Sequence, residues 1–169
     1  ACLKKYCVNL DSAFITRYLP ECANLYFFIR DNQNRTKRSW AKTKKNLAFT
    51  IASAFADLKK ANLCHRDAKA SNILVSVDAD NNLELYLIDM DGIKKANPLN
   101  PRKQLNCMSR LAASVLNFQT LYTADYYRTW KIYCRLTGIE NGRCKKLFRK
   151  LTRKAFATRM LTLVKSSAK

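Results

Sequence analysis

Two kinds of apolar pattern alternate along the chain: stretches with an apolar residue every three or four positions, and short runs that are nearly continuous. The first kind predicts amphipathic helices, the second short strands. Leu47, Ile51, Ala54, Phe55 and Leu58 form one stripe. It predicts a long helix that starts at a Ser39 or Thr43 cap and ends at Lys60. Leu105, Met108, Leu111, Ala112 and Val115 predict another over 105–118. A third runs from Thr123, read as its N-cap, to Leu136, and Gly138 stops it. Asn141 or Gly142 opens the last, from Arg143 to Val164, with Leu147, Leu151, Phe156 and Leu161 toward the core. A shorter helix, Leu25 to Arg30, is capped by Asn24.

The strands are few. Lys4 to Val8, a turn at Asn9 to Ser12, and Ala13 to Leu19 read as a strand pair that Pro20 ends. Asn62, Leu63 and Cys64 form a short strand into His65. Asn72 to Val77 and Leu83 to Ile88 flank the polar turn Asp78-Ala79-Asp80-Asn81-Asn82, which predicts a β-hairpin. The pattern is α+β and mainly helical, long enough for one domain with a real core.

Composition narrows the partners. The 169 residues carry 32 basic and 12 acidic side chains, a formal charge of +20. That field favours an anionic partner. The last helix puts Lys145, Lys146, Arg149, Lys150, Arg153, Lys154 and Arg159 opposite its apolar side, a basic amphipathic pattern suited to a membrane surface or a polyanion. No aromatic stacking platform or reading motif for nucleic acid accompanies the charge. Seven cysteines with no C-x-x-C pair give no metal or disulfide framework and read as buried, reduced thiols. The single histidine, His65, argues against a histidine zinc site. No apolar run reaches the roughly 18 residues of a membrane span. The chain starts at Ala1 and not at Met, which fits a processed or excised piece.

The chemistry concentrates around that histidine. His65-Arg66-Asp67-Ala68-Lys69-Ala70-Ser71-Asn72 fits the kinase catalytic-loop pattern H-R-D-x-x-x-x-N without a gap. Ile88-Asp89-Met90-Asp91-Gly92 places a second Asp at the end of an apolar strand and before a turn, where kinases carry the Asp of D-F-G. Phosphoryl transfer needs a hydroxyl held in line and phosphate charge neutralised. Asp67 suits the hydroxyl, Lys69 the transferring phosphate, and Asn72 and Asp89 supply oxygens for magnesium. The predicted hairpin brings the last two together. His65 and Arg66 brace the loop.

Beyond the kinase pattern, the chain resembles the lipopolysaccharide core (Kdo/heptose) kinase family. Ile88-Asp89-Met90-Asp91 is similar to that family's I-D-x-D, and Arg110-Leu111-Ala112-Ala113-Ser114 to its R-L-x-x-S helix. Thr123-Ala124-Asp125-Tyr126-Tyr127-Arg128 with Tyr133 to Gly138, and the hinge-like Thr16-Arg17-Tyr18-Leu19-Pro20, add to the likeness. The resemblance implies a protein-kinase-like C-lobe with a β-hairpin at the catalytic loop and a remnant of the N-lobe sheet. Residues 1–19 become N-lobe strands, 20–30 the hinge and first C-lobe helix, and 31–169 the C-lobe. It implies Asp67 as base, Lys69 as phosphate contact, Asn72 and Asp89 as magnesium ligands, and Arg17, Tyr18 and Leu19 against the adenine. The Gly-rich loop, the strand lysine and its glutamate partner are then expected upstream of Ala1.

The implied reaction is transfer of phosphate from ATP to a sugar hydroxyl of the lipopolysaccharide inner core, on the inner face of the cytoplasmic membrane. The acceptor is an anionic glycolipid, in keeping with the basic surface. Lys94, Lys95, Arg102 and Lys103, in a loop too short for a peptide-docking platform, are candidate contacts for acceptor phosphates. Two alternatives stand beside this reading: an impaired kinase-like module that binds an anionic partner, and a protein Ser/Thr kinase. Where kinases place an Asp that ties down the catalytic loop, near Leu105, the chain has Asn106 and Cys107, so a loosely held loop is expected.

Overall fold

A computed structural model describes residues 2–5, 8–12, 19, 21–80, 82–95 and 101–167. Strands β1 (Cys2–Lys5) and β2 (Val8–Ser12) form an antiparallel hairpin. Asn9 to Ser12, expected as a turn, is strand. The expected second strand, 13–19, lies outside the described residues apart from Leu19, which is in no regular element.

β3 (Ala23–Asn24) leads directly into α1 (Leu25–Asn32). The Asn24 side chain accepts the Phe27 N–H at 3.0 Å and so satisfies one of the helix's unpaired donors. Next comes α2 (Lys37–Lys60). Its cap is Thr36, whose hydroxyl accepts from the Ser39 N–H at 3.4 Å, so the helix begins earlier than either predicted cap. Both Ser39 and Thr43 lie inside it. Leu47, Ile51 and Phe55 of the stripe are buried, and Ala54 and Leu58 are half-buried.

β4 (Leu63–His65), β5 (Ile73–Val77), β6 (Leu83–Leu87) and β7 (Ile93–Lys95) follow. β5 and β6 are the predicted hairpin, and β3 adds to its edge. β4 pairs with β7 in a separate small sheet, with His65 opposite Ile93.

Three helices complete the chain: α3 (Pro101–Ser114), α4 (Thr123–Leu136) and α5 (Asn141–Ser167). α3 starts and stops earlier than its apolar pattern, because the chain turns at Val115 to Asn117. Gly138 sits beyond α4 with φ of 70°, a left-handed conformation that suits glycine after a helix. α2 packs on α4, and α3 on α5. Leu25, Ile29, Phe55 and Tyr133 are fully buried between these layers. Each buried Leu, Ile or Phe is worth about 1.5–3 kcal/mol. On α5, Cys144, Leu151 and Ala155 face the core and Leu147 is half-buried, whereas Phe156 and Leu161 are exposed, against expectation. The core seam ends at Ala155.

One charged junction locks α2 to α4. Lys44 Nζ donates to Asp125 at 2.8 Å and to the Thr120 carbonyl at 3.0 Å. Their side chains are only 11% and 13% exposed. Asp125 also accepts from Arg128 and from the Tyr122 N–H, which makes Tyr122, not Thr123, the first capping residue of α4. Burial pushes the Asp125 carboxyl up, but Lys44, the Tyr122 N–H and Arg128 outweigh it and leave it below the ordinary value. Asp125→Ala leaves Lys44 buried beside no anion and is expected to cost about 3 kcal/mol at pH 7. Because the folded carboxyl is the stronger acid, this contribution is present above the unfolded value near 4 and lost as the pH falls through the lower folded value. Urea unfolding of both proteins between pH 3 and 7 checks it: the gap is wide at neutral pH and closes in acid.

Candidate active site

β4 delivers His65 to the centre of the molecule, where its ring has no solvent exposure. Its Nε2 bonds the Ile88 carbonyl at 3.0 Å, and its Nδ1 accepts the Asp67 N–H at 3.3 Å. The tautomer with hydrogen on Nε2 satisfies both. One imidazole thus fixes the chain on both sides of the cleft. The Arg66 N–H donates to the Gly92 carbonyl at 2.7 Å, closing the same junction through the backbone.

After Asp67 the chain makes a single 3-10 turn, Ala70–Asn72, and enters β5. Asn72 is buried. Its Nδ2 donates to Asp67 Oδ2 at 3.1 Å, to the Asp67 carbonyl at 3.0 Å and to Asp89 Oδ2 at 3.0 Å. Two carboxylates from separate segments therefore meet on one amide. The amide oxygen lies toward the Ser71 hydroxyl at 3.5 Å. Asp89 has φ of 62°, the left-handed region that a non-glycine residue rarely adopts. That conformation turns its exposed side chain back toward Asp67.

Lys69 Nζ pairs with Asp67 Oδ2 at 2.8 Å, both side chains half-exposed. The Lys69 ammonium holds the Asp67 carboxyl below the usual carboxylate range; Asn72 and Arg110 add to this and partial burial opposes it. Among the described residues no three His, Cys, Asp or Glu side chains gather as a metal-binding group. Magnesium does not require one. It keeps several waters and takes one or two carboxylates plus phosphate oxygens. Asp89, open to solvent, fits that requirement, whereas the Asn72 amide shows its nitrogen to the two acids and its oxygen to Ser71, so it can join as an oxygen ligand only with the amide turned over.

The catalytic loop is also tied from behind by α3. Arg110 donates to the Arg66 carbonyl. Ser114 Oγ accepts the Ala70 N–H at 2.9 Å, and Gln104 donates to the Leu63 carbonyl at 2.9 Å. The Cys107 thiol sits against the His65 backbone N–H, and burial pushes it up to about 11. The loop is therefore held at several points, contrary to the expectation from the missing Asp. Arg110 and Ser114 were visible as a motif in the sequence, but their contacts to the loop were not. Nothing in the sequence flags Gln104.

A model of the lipopolysaccharide kinase (Kdo/WaaP) family matches residues 1–133. The chain belongs to the lipopolysaccharide kinase family. Among solved structures it is similar to one described as WaaP in complex with acyl carrier protein, with a TM-score of 0.67 and 23% identity. The match covers 83% of this chain and 58% of that one. At that identity the likeness speaks for the fold, a mixed helix-and-sheet arrangement shared with WaaP. The chain spans little more than half of that relative's length. No match was found among curated proteins.

The remaining candidates of this kinase-family chain are dispersed. Lys94 and Lys95 lie exposed on β7, opposite Cys64 and Leu63. Arg102 and Lys103 are exposed on the first turn of α3, and Arg102 lines a groove against α5. Leu19 is half-buried, while Arg17 and Tyr18 lie outside the described residues.

Gly92 is the residue whose substitution tests the His65 junction. A Cβ there would lie 2.7 Å from two atoms of the imidazole ring. Gly92→Ala is expected to cost about 1–3 kcal/mol through overpacking. Gly142→Ala, where nothing lies within 4 Å, is expected to hold or gain about 0.5–1 kcal/mol in its helix. Thermal melts of the two variants, read side by side, check the contrast.

Proposed function

We propose that this chain carries the catalytic half of an ATP- and magnesium-dependent kinase that phosphorylates a sugar hydroxyl of the lipopolysaccharide inner core. The supporting observation is the Asn72 amide, which touches the carboxylates of both Asp67 and Asp89. Family membership supports the same reading.

In this reading Asp67 orients the acceptor hydroxyl and takes its proton late in the transfer. A carboxylate kept acidic by Lys69 is a weak base, which suits a reaction governed by positioning and charge. Lys69 reaches the transferring phosphate. Asp89 holds magnesium, joined by the Asn72 amide oxygen once that amide turns over, and the ion when bound neutralises phosphate charge. His65 and Arg66 keep the loop in place. Residues 1–19 serve as N-lobe strands, 20–30 as hinge and 31–169 as C-lobe, with Arg17, Tyr18 and Leu19 against the adenine. Lys94, Lys95 and Lys103 attract the acceptor's phosphates, and Arg102 joins them. ATP as donor implies work on the cytoplasmic face of the membrane. The relative's companion, an acyl carrier protein, is a candidate partner for this chain too, one that the sequence reading does not include.

Phosphate transfer from labelled ATP to purified lipopolysaccharide core tests the reading. Asp67→Asn is expected to lower kcat on the order of 10²–10⁴-fold with nucleotide affinity kept. Asp89→Asn is expected to abolish the magnesium dependence of ATP binding. Full activity in Asp67→Asn sinks the assignment, and transfer to a generic protein with none to glycolipid replaces it with a protein kinase.

The pH profile adds a second check. Lys69→Ala removes the cation that depresses the Asp67 carboxyl. The acid limb of kcat/KM is expected to move to higher pH in that variant, toward the ordinary value near 4. An acid limb that stays put rules out Asp67 as the titrating group.

A further inference from the structure

α5 changes character at Ala155. Up to that point one side of it, Cys144, Leu151 and Ala155, is buried. The same side continues at helical spacing to Thr158 and Thr162, which are polar. A different stripe becomes apolar instead. Phe156, Met160 and Val164 are each 61% exposed, and Leu163 beside them 45%. Followed back along the helix at steps of three and four, this stripe runs through Arg153 and Arg149 to Lys146 and Lys145. One outward face of α5 is thus cationic in its first half and apolar in its second.

The cationic half opens on a cleft. Between α3 and α5 lies a groove of about 890 Å³ lined by Arg102, Arg143, Lys146, Lys150, Arg153 and Lys154, with no acidic side chain in its wall. From residue 141 onward the chain has ten Lys and Arg and no Asp or Glu. Among the described residues Lys146, Lys150 and Arg153 make no ion pair. Such charge seeks phosphate groups, and the apolar turns next to it seek an acyl phase.

We propose that α5 docks this chain on the surface of an anionic phospholipid bilayer, with headgroup phosphates in the α3–α5 groove and Phe156, Met160, Leu163 and Val164 in the acyl boundary. A free polyanion would match the groove but leave the apolar turns in water. A bilayer surface matches both in the order the helix presents them. The rise from Phe156 to Val164 is about 12 Å. Lying along the surface, that length of α5 sets its outward apolar side chains against the headgroup–acyl boundary, about 5–10 Å deep, while Arg153 stays level with the phosphates. No helix among the described residues is long and apolar enough to cross the membrane, so α5 rests in the surface. The docking face uses neither Asp67 nor Asp89 and stands independently of the catalytic reading.

Sedimentation of the full chain with vesicles tests the proposal. The expected result is binding to vesicles of equal phosphatidylglycerol and phosphatidylcholine, and none to phosphatidylcholine alone. Lys146→Glu with Lys150→Glu and Arg153→Glu is expected to weaken binding at least a hundredfold, on the order of fivefold for each charge removed. Phe156→Ser with Met160→Ser and Leu163→Ser is expected to weaken it at least tenfold and to make the remainder fully salt-sensitive. All six positions lie on the outer side of α5, and unchanged circular dichroism and melting confirm that the variants fold. Asp67→Asn is expected to bind vesicles as the parent does, whatever its activity. Two results overturn the proposal: no binding of the parent chain to anionic vesicles, or undiminished binding by the serine variant. The second would leave a polyanion or acidic-protein surface in its place.

Discussion

A buried imidazole has two polar atoms to satisfy, and the way His65 satisfies them sets the geometry of everything near it. One nitrogen takes the carbonyl of Ile88, the other the N–H of Asp67. These groups sit on the strand ends that carry the two acids. Were either bond lost, a polar atom would be stranded in the core at a cost of about 1–3 kcal/mol. The ring therefore acts as a spacer whose size and bonding fix how far the two carboxylates stand apart. Gly92 is the counterpart of that constraint, because no side chain fits between its backbone and the ring.

The hairpin converts this local junction into a site. β5 and β6 pair in register from Ile73 opposite Leu87 to Val77 opposite Leu83, and Ile88 continues the ladder by donating to Asn72. Asn72 and Asp89 are thereby brought across from each other at the open end. The helices contribute stiffness behind the loop. α3 faces the loop with Arg110 and Ser114, and the Lys44–Asp125 junction fixes the α2–α4 layer on which β4 abuts.

Much of this was legible in the sequence because it rests on local rules. The hairpin follows from two apolar runs around Asp78 to Asn82, and the α1 start from Asn24. The meeting of Asp67 with Asp89 was legible through the spacing of a known pattern. Less was legible where tertiary contacts decide. Thr36 caps α2, although Ser39 and Thr43 offer the same chemistry, because only the first precedes the helix's initial turn. Phe156 and Leu161 extend the apolar series of Leu147 and Leu151, yet their five-residue steps turn them off the buried side, which continues past Ala155 as Thr158 and Thr162. The bracing of the loop by Gln104, Cys107, Arg110 and Ser114 depends on how α3 lies against β4, and no one-dimensional pattern encodes that angle.

The thiol at position 107 has one more consequence. A carboxylate there would be a strong, charged tether, and charge-assisted hydrogen bonds are roughly twice as strong as neutral ones. It would also add a buried negative charge at the His65 backbone, two residues before Asp67. With a protonated sulfur instead, no further negative charge joins the two acids of the cleft, and the anchorage of the loop is shared among several weak threads. A loop hung this way tolerates the loss of any single thread and loosens by degrees rather than letting go at once.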